Sequence, residues 1–136
     1  MIEENKFLAR EWFEQVWNQR NEDVIDRVLH PQGKCYGFPE PDGVIVGPDA
    51  FKAAHRIFCG AFPDLHLEIE EIIAEDYHVA VRWKSTMTHR GGHLGFPATG
   101  RTGELRGASF MIADGRQILS GWNYMDLQAL YNKLRA

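Results

Sequence analysis

The sequence predicts an α+β domain in which N-terminal helices pack on a curved antiparallel sheet and enclose a pocket. Three observations lead there. Apolar residues recur at helical spacing in the first half of the chain and at every second position after Asp64. Gly107 and Gly121 fall inside two of the alternating segments, where glycine commonly marks a bulge or bend, so the sheet is expected to curve strongly. Helices followed by a meander of strands form layers in which the helices cover the concave face, and a cone of that kind holds a cavity. With 136 residues, 44% of them hydrophobic and 25% charged, one core suffices, and residues 1–136 read as a single domain.

The first helix is expected over Lys6 to Trp17, where Leu8, Ala9, Trp12, Phe13, Val16 and Trp17 form a stripe and Glu3 and Glu4 favour the positive end of the helix dipole. Asn21 caps a short second helix that buries Val24, Ile25, Val28 and Leu29, and His30-Pro31-Gln32-Gly33 is expected to stop it. A brief strand, Lys34 to Phe38, follows. Gly47-Pro48 opens a third helix with Phe51, Ala54, Phe58 and Phe62 on one face, ending at Phe62-Pro63-Asp64. Four long antiparallel strands come next, and a last helix spans Leu127 to Leu134. Asp76-Tyr77 and Asp114-Gly115 are the tight-turn signals, and the Asp-Gly pair suits a two-residue hairpin best.

Composition removes several function classes. Fifteen Lys and Arg against nineteen Asp and Glu give a net charge of −4 without a long block of either sign, which argues against a nucleic-acid partner. The N-terminus has neither the basic start nor the apolar run of a signal peptide, and no stretch is long enough to span a bilayer, so a cytoplasmic protein without membrane contact is expected. Cys35 and Cys59 stand in no metal or redox spacing and read as two thiols.

The strand parities propose the site. Trp122, Tyr124 and Asp126 recur at period 2, as do Val79, Val81 and Trp83, and both sets are read as facing the pocket. Tyr36, Phe58 and Trp12 join them as aromatic walls suited to a flat hydrophobic small molecule. A carboxylate between apolar walls loses hydration, holds its proton nearer to neutrality and can exchange it there, which makes Asp126 the first acid–base candidate. Asp126 also directly precedes the last helix, so capping is an equal reading of it. His89 has the parity of Val79 and Trp83 and would reach the pocket if the strand ran on uninterrupted; His55, beside the apolar face of the third helix, is a further ligand-binding candidate. His89 and His93 are spaced like metal ligands, but Arg90-Gly91-Gly92 between them signals a loop and no third ligand is evident, so no metal is expected. The run from Gly95 to Thr102 is a near-match to a phosphate-binding loop. It precedes a strand and contains Pro97, so it lacks the helix N-terminus that such a loop requires.

Phe62-Pro63-Asp64-Leu65, Thr88-His89 leading to Gly95-Phe96-Pro97-Ala98-Thr99-Gly100-Arg101, and Asp114-Gly115 followed by Trp122 and Asp126 together resemble the SnoaL-like polyketide cyclases, often labelled ester cyclases, of the nuclear transport factor 2-like superfamily. The resemblance runs from the first helix to the last. It implies a nuclear transport factor 2-like cone, usually a homodimer, that closes a ring in a polyketide by an intramolecular aldol step without metal or cofactor, with the carboxylate matching Asp126 as general acid–base group. Some cyclases place a histidine where this chain reads Phe110-Met111-Ile112, so either His89 serves as the partner of Asp126 or the partner is absent. Other readings stand beside this one. A ketosteroid-isomerase-like enzyme would use Tyr36 as oxyanion donor, an epoxide-hydrolase-like enzyme would need a second acid in the pocket, and a non-catalytic ligand-binding or dimerisation module would need Asp126 only as a cap. The outward parity of Arg82, Lys84, Thr86 and Thr88 marks the face expected to meet a second copy.

Overall fold

The change of hydrophobic period at Asp64 separates a helical first half from a stranded second half. The protein is described for residues 1–39 and 43–136 by a computed structural model. Its helices are α1 (Ile2–Glu11), running on into a π-helical segment (Trp12–Asn18), α2 (Glu22–Val28), α3 (Gly47–Ala61) and α4 (Leu127–Arg135). Its strands are β1 (Leu29–Tyr36), β2 (Val44–Val46), β3 (His66–Glu75), β4 (His78–Thr88), β5 (Thr102–Ala113) and β6 (Ile118–Met125). The strands form one six-stranded sheet in the order β2-β1-β6-β5-β4-β3. Neighbours are antiparallel except β1 and β6, which run parallel. His30-Pro31-Gln32-Gly33, expected to stop α2, lie beyond its end at Val28 and are already part of β1, which starts before the expected Lys34. Among the described residues no helix is long and apolar enough to cross a membrane.

The π-helical segment shapes the inner wall. A π turn takes more residues than an α turn, and here Trp12, Phe13, Val16 and Trp17 all come to the buried side. The carbonyls at its end are covered by side chains: His55 Nε2 donates to Val16 O at 2.6 Å and Arg20 Nη1 to Asn18 O at 2.9 Å. Arg20 also reaches Pro63 O at 2.7 Å and Leu65 O at 3.0 Å. Asp64 in the same turn accepts from the Thr88 backbone N–H and hydroxyl, both at 2.7 Å. The Phe-Pro-Asp turn thus ties the first helix to the end of β4, which gives that motif a structural purpose.

Asn18 and Asn5 do similar work elsewhere. Asn18 exchanges two hydrogen bonds with the Leu67 backbone and so covers part of the edge strand β3. Asn5, fully buried, donates to Ala113 O and Asp76 O and accepts from Gly115 N, holding both hairpin turns.

The hairpins differ from expectation. The two-residue connection is at Asp76-Tyr77, where Glu75 pairs with His78 and Asp76 adopts a left-handed φ of 50°. Ala113 pairs with Ile118, so Asp114-Gly115 begin a longer loop. The Asp114 carboxylate accepts from the backbone of Arg116 at 3.0 Å and Gln117 at 2.9 Å, and this side-chain turn replaces the tight backbone turn.

The sheet pairing slips by one residue between Ile69 and Glu71 in β3 and between Ile112 and Ala113 in the β5–β6 ladder, where Leu119 is the extra residue. One inserted residue sends every later side chain to the opposite face. Beyond Leu119 the concave side therefore receives Gly121, Asn123 and Met125, while Trp122 and Tyr124 point outward. Gly107 and Gly121 themselves sit in regular register and are not the bulges expected of them. Gly107 instead makes room, since a Cβ there would come within 2.5 Å of the Trp83 ring.

Candidate functional site

Inward positions of the sheet and the buried faces of the π segment and α3 surround a cavity with about 70 Å³ of free volume. Trp12, Trp17, Phe51 and Phe58 form its helical wall, and Trp83, Met111 and Met125 lie on the sheet side. The rings pack on one another, with Trp12 and Phe51 centroids 4.8 Å apart and Phe38 and Phe51 5.6 Å apart. Pockets for drug-sized ligands run to about 300–1,000 Å³, so any ring-sized ligand must push these walls apart on entry.

One polar cluster interrupts the apolar lining. Trp83 Nε1–H donates to Ser109 Oγ at 3.0 Å, the Ser109 hydroxyl donates to Asn123 Oδ1 at 2.7 Å, and Asn123 Nδ2 donates to Tyr36 O at 3.0 Å. The lining also includes Ser85 and Cys35, and burial pushes the Cys35 thiol up to about 12, which keeps it protonated and poorly nucleophilic at neutral pH. Among the described residues, no Asp, Glu or His side chain lines the cavity.

Of the residues singled out in the sequence, Trp12, Phe58 and Trp83 line the cavity. Trp122 and Tyr124 do not, because the Leu119 bulge turns them outward. Trp122 stacks on Tyr36 at 5.6 Å, and Tyr124 meets Phe110 edge-on at 6.0 Å, all on the convex face. Tyr36 is consequently out of reach as an oxyanion donor; only its backbone carbonyl takes part in the polar cluster. Asp126, two positions beyond Tyr124, is exposed, and Oδ1 accepts from Ala129 N at 2.9 Å as the cap of α4. Its carboxylate is not held between aromatic walls. In the chain it directly follows Met125 and stands four residues before Leu130, both of which line the cavity.

The two histidines sit behind the wall. His55 is buried beside Trp17, centroids 4.8 Å apart, and its Nε2 is engaged by Val16 O. Burial lowers its proton affinity and outweighs the Val16 carbonyl and Glu22, which raise it. His89 is not on an uninterrupted strand: β4 ends at Thr88, and the following segment folds back so that His89 N donates to Arg101 O and Gly100 N to His89 O. Its ring is fully buried between Phe62 and Phe96, at 5.8 and 4.9 Å. Nδ1 accepts from Thr99 N at 3.2 Å, which assigns the ring proton of the neutral form to Nε2, a buried atom without a partner among the described residues. Arg135 of α4 lies over Phe96 at 4.4 Å and closes this corner. Among the described residues, no three His, Cys, Asp or Glu side chains come together as a metal site.

Ser109 and Asn123 escaped the sequence reading. Ser109 is legible in hindsight, two positions from Met111 on the inward parity of β5, but Asn123 is hidden by the bulge that reverses β6.

A family model described as SnoaL-like polyketide cyclase matches residues 7–134. No curated protein matches the chain. Among solved structures, a proposed SnoaL-like polyketide cyclase from Jannaschia sp. CCS1 superposes with a TM-score of 0.90 at 19% identity, over 100% of this chain and 94% of the other. A proposed polyketide cyclase from Acidithiobacillus ferrooxidans gives 0.81 at 26% identity, covering 97% and 94%. AclR from Streptomyces galilaeus, a proposed hydroxylase, gives 0.82 at 24% identity, covering 99% and 98%.

Proposed function

Since the chain belongs to the SnoaL-like polyketide cyclase family, we propose that it binds a small, largely apolar polyketide-like molecule in the cone and closes a ring in it by an intramolecular aldol-type step. The observation that carries this reading is the cavity itself, lined mainly by aromatic and aliphatic side chains with the hydrogen-bonded pair Ser109 and Asn123 among them. Such walls fold a flexible substrate so that its reacting carbons approach. In the step, a carbon next to one carbonyl loses a proton, the resulting enolate carbon bonds to a second carbonyl carbon, and that carbonyl oxygen takes a proton up. The sequence is redox-neutral and consumes no electron carrier. Asp126 is the proton-transfer group of this proposal, acting from the rim on the end of the substrate that emerges beside Met125. His89, behind Phe62, is its buried helper.

Asn caps a helix as well as Asp does, so Asp126→Asn removes the proton acceptor while leaving α4 intact. Turnover of a panel of 1,3-dicarbonyl and polyketide esters is expected to fall by about 10²–10⁴-fold, with the melting temperature unchanged. Full turnover in the variant would remove Asp126 from the mechanism. A second reading, a ligand-binding module without chemistry, is favoured by a lining that, among the described residues, holds Ser85, Ser109 and Asn123 as its polar side chains and no carboxylate. Binding of panel members by the unmodified protein without product would establish it.

We also propose a homodimer built on the convex face. Tyr36, Trp122, Phe110, Ala80 and Ile73 pair in succession across five strands, forming one apolar rung with Phe110 48% and Ile73 58% exposed. An apolar band of this kind favours association, and it offers more than the Arg82, Lys84 and Thr86 parity seen in the sequence; Thr88 is buried against Asp64.

A further inference from the structure

The polar cluster in the cavity has a direction, and both ends fix it. An indole N–H can only donate, so Ser109 Oγ must accept from Trp83 and turn its own hydrogen to Asn123. A backbone carbonyl can only accept, so the Asn123 amide must present Nδ2 to Tyr36 O and Oδ1 to Ser109. Neither the hydroxyl rotor nor the amide can flip without leaving one of these terminal groups unsatisfied, at a cost of about 1–3 kcal/mol for a buried group.

The three donors of the relay are therefore spent inside the protein. What remains for a ligand is one lone pair on Ser109 Oγ, one on Asn123 Oδ1, and the second Asn123 N–H. A lone carbonyl oxygen can use only the last of these. A hydroxyl can donate to either acceptor and receive the N–H on its own oxygen. Both side chains line the cavity; Ser109 is only 3% exposed, so water competes poorly at its oxygen, and Asn123 is half-buried.

We infer that Ser109 and Asn123 form a hydroxyl-accepting site that selects ligands by a phenolic or enolic O–H. This deepens the small-molecule reading above and rests on it. It also gives that reading a chemical consequence. The enol of a 1,3-dicarbonyl presents an O–H next to a conjugated carbonyl, matching two acceptors and one donor. Holding the enol rather than the keto form supplies the nucleophilic carbon that an aldol-type closure needs.

Three probes that share a ring separate the alternatives: phenol donates, anisole has the same oxygen without its hydrogen, and benzaldehyde offers a carbonyl. Each is titrated into the full-length protein while the Trp83 indole N–H is followed by NMR, with the resonance assigned from Trp83→Phe. Phenol is expected to bind about tenfold more tightly than either other probe, the worth of one net hydrogen bond. Ser109→Ala removes an acceptor and frees the Trp83 N–H, so it should reverse the order and favour benzaldehyde. Equal binding of the three probes, or benzaldehyde ahead of phenol in the unmodified protein, overturns the hydroxyl site while leaving the small-molecule reading in place. Binding of none of them overturns both. The ranking in the unmodified protein decides the matter even if the variant does not fold.

Discussion

On the concave face of the sheet Trp83 is 5% exposed, with its ring over Gly107 and its N–H on Ser109; on the convex face Phe110 and Tyr124 are 48% and 61% exposed and meet edge to face. These rings come from neighbouring strands of one sheet, Trp83 from β4, Phe110 from β5 and Tyr124 from β6. What separates them is which side of the pleat each ring occupies, and in β6 that is decided by the single extra residue Leu119. Aromatic richness along a strand therefore marks a surface that will be covered by something. Whether that is a ligand, a helix or a second chain depends on the register.

The largest expected difference between the faces is in folding stability. Phe51 is 1% exposed and touches Trp12, Trp17 and Phe38. Phe51→Ala should destabilise the fold by about 3–5 kcal/mol in denaturant unfolding, the cost of a large core truncation. Phe110→Ala, on the open face, should cost less than about 1 kcal/mol at protein concentrations where the chain is monomeric. Equal losses would break the contrast between a packed inner face and an uncommitted outer one.

Association should show the reverse pattern. Trp122 stacks on Tyr36 and pairs with Phe110 in the convex apolar rung. Trp122→Glu is expected to convert a dimer to a monomer in sedimentation at micromolar concentration, with binding of cavity ligands retained. A protein that sediments as a monomer before any substitution would remove the dimer and leave the convex aromatics without an assigned partner.

Much of this architecture was legible because its signals are local. The switch of period at Asp64, the Asn21 cap and the Gly47-Pro48 helix start each depend on a few neighbouring residues, and the structure has all three. The site was less legible because it depends on pairing between distant residues. Leu119 carries no mark of a bulge; only its position opposite Ile112 and Ala113 makes it one. That one residue moves Trp122 and Tyr124 out of the cavity and brings Asn123 in. The end of β4 at Thr88 is likewise set at long range, by Asp64, and it buries His89 beside Phe62 instead of extending the strand. The motifs that carry the family resemblance, Phe-Pro-Asp and Thr-His, meet at that junction and hold the end of the cone.

The smallest expected effect is a difference in pH dependence. The convex face carries exposed pairs such as Arg82–Glu71 and Lys84–Glu68, each at 3.8 Å, which are screened by water and contribute little. His55, behind the concave wall, is buried with its ring against Trp17, and burial holds its proton affinity below the ordinary value of 6.5. The unfolded chain thus binds more protons than the folded one just below pH 6.5, so the stability His55 contributes is fully present above that pH and is lost as pH falls toward its lower folded value. Each unit of depression is worth about 1.4 kcal/mol. Thermal unfolding between pH 7 and pH 5 should accordingly show a decline that is shallower in His55→Gln, whereas neutralising Arg82 or Lys84 should leave the decline in place. Identical slopes for the unmodified protein and His55→Gln would show that the imidazole is compensated in the folded state, by the Val16 carbonyl first and Glu22 after it, and would remove His55 as a source of the decline.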